Sequence, residues 1–228
     1  MNLLALDTST EQLSIAVQRG GQTWEHGGAG GAQSSASLIP AIQVLMQQAG
    51  LAFAQLDAIV FGAGPGSFTG LRTACSVAQG LGFGAGVKLL PVPTLLAVAD
   101  EARHQTGARQ LVAALDARMD ELYTARYDFD SAILPFDADF QLISPENLQI
   151  PADWALAGNA RAVYGERIAF AGPVILAMPT AVALLRLAPA LLAAGRALDA
   201  EHALPMYIRD KVAKTTAERE ADKRAVAA

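Results

Sequence analysis

The chain has 228 residues, 52% of them apolar and 17% charged, which excludes a disordered polypeptide and requires a sizeable core. A net charge of −5 excludes a stand-alone grip on a nucleic-acid backbone, which needs clustered Lys and Arg. Cys75 is the only cysteine, so no internal disulfide forms and a reducing compartment is expected. Asn2–Leu6 reads as a short strand ending at Asp7. The turn "DTSTEQ" leads to an alternating strand at 13–18, and "GGQTWEHG" supplies a Gly-Gly turn and a third strand. Gly27–Ser37 is a loop of small residues. Leu38–Gln48 is helical, with Leu38, Ile42 and Leu45 on one face and Ile39 and Met46 on others, and it stops at Gly50. "LDAIVFG" is a strand, 62–70 a glycine-rich loop, Leu71–Gly84 a helix, "VKLLPV" a strand and Thr94–His104 a helix.

Then the pattern restarts. "QLVAALD" at 110–116 ends in Asp, "ELYTARYD" at 121–128 alternates, "ADFQLIS" and "DWALAGN" read as later strands, and Thr180–Gly195 as a long helix bent at Pro189. "LLALDTSTEQLSIAV" superposes on "VAALDARMDELYTARY" with Asp7 on Asp116 and Leu13 on Leu122. The expected organisation is two related α/β lobes, 1–100 and 101–212, followed by a charged tail at 213–228 that reads as a frayed helix or disorder. The start "MNLLALD" lacks a basic segment and does not read as a signal peptide. The most apolar run, Ala177–Leu198, is interrupted by Pro179, Arg186, Pro189 and Arg196 and reads as a buried helix, not a bilayer span. A soluble, cytoplasmic protein without a membrane partner is expected.

The loop "GAGPGSFTGLR" joins a strand to a helix, as phosphate cradles do. Counted from Gly64, however, Thr69 and Gly70 stand where a P-loop needs Gly and Lys. Backbone N–H groups at the helix start could still bind an anion, with Arg72 one turn in. The plainer reading is that Ser67 or Thr69 caps the helix. Ser67 also fails as a nucleophile elbow, because Pro65 and Thr69 replace the flanking glycines. There is no HExxH or CxxC, so no metal ligand set is assigned. Asp7, followed by Thr8 and Ser9, has the form of a turn that holds Mg²⁺ and phosphate. With Asp116 it would define an actin-like ATPase or kinase cleft, although "DARMDE" at the second turn is too acidic and bulky for a triphosphate. The alternative is that Asp7 caps local N–H groups. Ala74, Ala78, Gly82 and Gly86 form a small-residue stripe, which packs either on the chain's own sheet or against a partner helix.

Taken in order, "LLALDTSTEQLSIAV", "GPGSFTGLR", "LDARMDELYTARY" and "PMYIRDKVA" resemble the TsaB (YeaZ) family from residue 1 to about 213. These are dimerization subunits of the bacterial tRNA threonylcarbamoyladenosine transferase complex. The resemblance implies an actin-like, heat-shock-ATPase fold of two RNase H-like lobes with mixed sheets flanked by helices. It implies no catalytic residue, no cofactor and no metal. The partners it implies are the catalytic subunit TsaD and the ATPase TsaE, with tRNA reached only through the complex and homodimers possible through the same face. Pairing would use helices at about 34–49 and 70–85. This points to Leu38, Ile42, Leu45, Met46, Arg72, Ala74, Cys75, Ala78, Leu81 and Gly82. Two departures stand out: "AQSSASLIP" replaces a stretch where many members carry His, and "AGNA" at 157–160 lacks a full glycine pair.

Overall fold

The computed structural model describes residues 1–30, 34–131 and 138–209, the side chains of 34 and 35 excepted. The expected tail at 213–228 lies outside the described residues. The first half runs β1 (Asn2–Asp7), β2 (Gln12–Arg19), β3 (Gln22–Ala29), α1 (Ser34–Ala49), β4 (Ala58–Gly64), α2 (Phe68–Ala85), β5 (Leu89–Pro93) and α3 (Thr94–Thr106). The second half runs β6 (Gln110–Asp116), β7 (Leu122–Asp128), β8 (Gln141–Ile143), β9 (Ala155–Ala157), α4 (Ala160–Tyr164), β10 (Val174–Ile175) and α5 (Ala181–Ala193). The sheets are ordered β3-β2-β1-β4-β5 and β10-β9-β6-β7-β8. In each, the first three strands in sequence pair antiparallel and the last two join in parallel. The repeat seen around Asp7 and Asp116 is therefore a repeat of topology, and the fold class is the expected one of two mixed sheets flanked by helices.

The strands alternate as their sequences require. Leu4 and Leu6 point to one face of the first sheet, with Ile59 and Phe61. Leu3 and Ala5 point to the other, with Val60, Leu90 and Val92. The two faces have different covers. α1 and α2 lie on the first face. The second face is covered by α5, which comes from the other half of the chain and packs on β1, β2 and β4. α3, from the first half, packs on β6 and β7 as well as on β4 and β5. One core thus runs through both sheets with α3 and α5 between them. This crossing explains why the first two turns of α3 are buried all round, with Leu95 to Asp100 buried in succession and Ala102 after them.

The second half has less helix on the outer face of its sheet. A single turn at Pro145–Asn147 stands where α1 would be, and the five-residue α4 replaces α2.

Asp100 is the charge that this crossing buries. It is fully inaccessible, and accepts from Arg103 at 2.7 Å and from Arg186 of α5 at 2.7 Å. Arg186 also donates to Glu101 at 2.7 Å. Removing one partner of such a cluster leaves uncompensated charge. Asp100→Ala is expected to lower the unfolding free energy by about 2–4 kcal/mol, measured by urea denaturation. A loss under about 0.5 kcal/mol, the level of an ordinary surface substitution, would show that the cluster does not hold α3 to α5.

Candidate functional site

The glycine-rich loop leaves β4 through a cis Gly64–Pro65 peptide and enters α2 at Ser67, the N-cap. Its concave side is filled by the chain's own first turn. Ser67 N donates to Ser9 O at 2.7 Å, and Thr8 Oγ1 donates to Gly70 O at 2.6 Å. A Cβ at Gly70 would fall 1.8 Å from Thr8 O, and one at Gly62 would fall 1.8 Å from Asp7 Oδ2. These glycines are needed so that the Asp7–Ser9 turn can seat against β4 and α2.

The carboxylates proposed for a nucleotide site are both engaged. Asp7, Thr8 and Ser9 are buried. Asp7 Oδ1 accepts from Ser9 N at 2.9 Å and Ser9 Oγ at 2.7 Å, while Oδ2 has no hydrogen-bond partner. Burial pushes the Asp7 carboxyl up to about 6 against the pull of the Ser9 hydrogen bonds. Asp116 is half-buried; its Oδ1 accepts from Tyr164 Oη at 2.7 Å and Arg118 N at 2.8 Å, and its own N–H donates to Asn159 Oδ1 at 2.8 Å.

Between the lobes lies a cleft of about 810 Å³, lined among others by Ser9, Pro65, Phe68, Asp116, Arg118 and Tyr207. Asp7 and Thr8 are not part of its wall. Arg118 spans it, pairing with Glu11 of the first lobe and standing 3.6 Å from Asp116 Oδ2. A triphosphate entering here would meet Glu11 and Asp116 already paired with the chain's own Arg118. Among the described residues no group of three or more His, Cys, Asp or Glu could hold a metal ion.

The residues singled out on α1 and α2 turn mostly inward. Leu38, Ile42, Leu45 and Met46 are buried with Ala74, Cys75 and Ala78 against Leu4, Leu6, Ile59 and Phe61. Gly82 is buried too, and a Cβ there would lie 2.6 Å from Leu89 Cδ2. Of the two readings of the small stripe, the structure takes the packing on its own sheet. Leu81 is half-buried and Arg72 exposed, its guanidinium 3.8 Å from the Phe68 ring centroid and its Nε 3.0 Å from Tyr207 Oη. The outer face of the same helices is a different set: Ile39 and Val44 on α1, and Thr69, Ser76, Gly80, Phe83 and Gly84 on α2. Phe83 is 84% exposed. Arg209, within "PMYIRD", bonds to Ala117 O in the cleft wall, and nothing in the sequence around it signals that role.

The family described as "TsaD: tRNA N6-adenosine threonylcarbamoyltransferase" matches residues 29–220. The "tRNA threonylcarbamoyladenosine biosynthesis protein TsaB" of Escherichia coli K12 is 31% identical, covering 93% of this chain and 96% of its own length. Its Haemophilus influenzae counterpart is 34% identical, covering 93% and 95%. The chain belongs to the TsaB family. Among solved structures, YeaZ from Pseudomonas aeruginosa superposes with a TM-score of 0.84 at 38% identity, covering 91% of this chain and 99% of that one. A second, described as an uncharacterized protein with similarity to peptidase YEAZ from Pseudomonas aeruginosa, gives 0.84 at 37%. Among the described residues of this TsaB-family chain, no helix is long and apolar enough to cross a membrane.

The raised Asp7 carboxyl makes stability depend on pH with a definite sign. The folded state holds the proton more tightly than the unfolded chain. The contribution is therefore complete below about pH 4 and is lost as pH rises through about 6. Relative to Asp7→Asn, the native chain is expected to lose up to about 3 kcal/mol between pH 4 and pH 7, read from urea unfolding at each pH. A difference that stays constant across this window would show that Asp7 is not buried as described.

Proposed function

We propose that this chain is a non-catalytic scaffold subunit in tRNA threonylcarbamoyladenosine biosynthesis. Its first lobe, residues 1–100, presents α1 and α2 to a TsaD-type catalytic subunit, and the pair recruits the ATPase TsaE. It contacts tRNA only through that complex, works in the cytoplasm, needs no cofactor of its own, and forms homodimers through the same face when the partner is absent.

Several observations support this reading. Relatives that align along nearly the whole chain are named as tRNA threonylcarbamoyladenosine biosynthesis proteins. The match to the TsaD family over residues 29–220 supports an association between two related chains, which pair through matching elements when surfaces are self-complementary. A scaffold role accords with a first turn and glycine loop that fill each other, and with an Asp116 already held by Tyr164 and Arg118.

The observation that carries the proposal is the outer face of α1 and α2. The two helices, SSASLIPAIQVLMQQA and FTGLRTACSVAQGLGFGA, contain one charged residue between them, Arg72. Solvent-facing helices ordinarily carry charge along the outer side, so an uncharged pair marks a surface that another protein covers. Gly80 and Gly84 sharpen this. A Cβ at either would meet nothing within 4 Å, so the chain's own packing does not require glycine there. Each nonetheless costs about 1 kcal/mol against Ala inside a helix. Bare backbone beside the protruding Phe83 lets a partner helix approach closely.

The test is to mix the chain with the TsaD subunit of the same organism at micromolar concentration and follow co-elution on size exclusion. Gly80→Arg and Gly84→Arg are expected to weaken the complex at least about 100-fold, the scale of losing a central interface contact. The melting temperature should be unchanged or raised, because the helix interior gains a better former. Absence of a complex with the native chain, or native-like pairing by both variants, would overturn the proposal.

A further inference from the structure

The last described segment, Ala203–Arg209, crosses from one lobe to the other. Ala203 O accepts from Gln79 Nε2 at 2.9 Å and from Cys75 Sγ at 3.4 Å, which ties the segment to the inner side of α2. Met206 N donates to Ala63 O at 2.6 Å, and Tyr207 Oη meets Arg72 Nε. Arg209 then reaches the turn between β6 and β7. It donates to Ala117 O at 3.1 Å, Arg118 O at 3.2 Å and Glu121 Oε2 at 2.5 Å, and its other amino group meets Met119 Sδ.

That turn is unusual. Arg118, Met119 and Asp120 all have left-handed backbones, with φ of +62°, +57° and +60°. Left-handed conformations are disfavoured for L residues with a Cβ. Three in succession persist only where surrounding contacts impose them. Within the turn Ala117 N donates to Glu121 O at 2.9 Å and Glu121 N to Arg118 O at 3.2 Å; from outside it Tyr164 Oη donates to Glu121 O at 3.1 Å and Arg167 meets Asp120 Oδ1 at 2.7 Å. The contact from the far end of the chain is Arg209. Its side chain is 13% exposed, so its bonds to two carbonyls and a carboxylate form largely out of water. The Arg118–Glu11 pair across the cleft is a poor rival for this role, since the two side chains are 69% and 81% exposed and such pairs hold little.

We propose that Ala203–Arg209 is a strap that helps hold the 117–121 turn in its left-handed state and so keeps Arg118 bridged across the inter-lobe cleft. Lifting the strap withdraws Arg209. The turn relaxes to an ordinary backbone, Arg118 leaves Glu11 and Asp116, and the bridge across the cleft is lost. The strap is placed to be lifted: Leu204 is 70% and Tyr207 47% exposed, so a molecule binding there competes directly with the contacts that seat it. The bridge is then held by a peptide of the chain itself, and its state is linked to the α2 side chains that anchor the strap.

Hydrogen–deuterium exchange on the full chain tests this. In Arg209→Ala, the amides of 117–121 are expected to exchange at least about tenfold faster, the equilibrium effect of losing a charged hydrogen bond, while those of β1 and β2 stay native. Glu121→Gln removes one acceptor and is expected to fall between the two, which keeps the test open if Arg209→Ala does not fold. Glu11→Gln is expected to change nothing. Met119→Gly in the Arg209→Ala background is expected to restore slow exchange, because glycine accepts the left-handed backbone unaided. Native exchange at 117–121 in the folded Arg209→Ala or Glu121→Gln chain overturns the proposal. So does an equal acceleration by Glu11→Gln, or a failure of Met119→Gly to slow the loosened turn.

Discussion

The contact on which the rest of the molecule depends is the seating of the Asp7–Ser9 turn in the glycine loop at 62–70. Thr8 reaches Gly70 O, Ser67 N reaches Ser9 O, and the Asp7 carboxylate lies on the backbone of Gly62. This lets α2 begin directly over the end of β1 and fixes where its outer face points. It also turns Ser67 N and Gly70 O of the loop onto the chain's own first turn. Asp7 pays for its position with a disfavoured charge in a dry site, offset only by the two hydrogen bonds from Ser9.

The duplicated topology is used asymmetrically. Both sheets share one strand order, yet only the first carries full helices on its outer face; the second has a single turn and the short α4 there. Inside, α3 and α5 cross over, each covering the sheet built by the other half, with Asp100 and Arg186 at the crossing. The crossing makes one continuous core of the two halves. The material left to face outward without charge is α1 and α2, which is where a scaffold would meet its partner.

Much of this was legible in the sequence. Alternation in "LSIAVQ" and "ELYTARYD" located strands that the structure contains, and the recurrence of "ALD" before a hairpin revealed two sheets of one topology. The orientation of α2 was not legible, for a physical reason. The helix has small residues on two sides, Ala74, Ala78 and Gly82 on one and Ser76, Gly80 and Gly84 on the other. Periodicity finds either stripe but does not say which one meets Leu89. β10 has two residues and leaves no pattern. The left-handed turn at Arg118–Asp120 carries no glycine, asparagine or proline signal at those positions, and the side chains that bond to it, Tyr164, Arg167 and Arg209, come from far along the chain.

The central claim is that the first turn seats in the glycine loop and buries Asp7 there. Calorimetric titration of the isolated chain with Mg·ATP tests it most directly. The account predicts no saturable heat up to millimolar nucleotide. Micromolar binding that disappears in Asp7→Ala would contradict it, since that result requires an accessible Asp7 and an open loop.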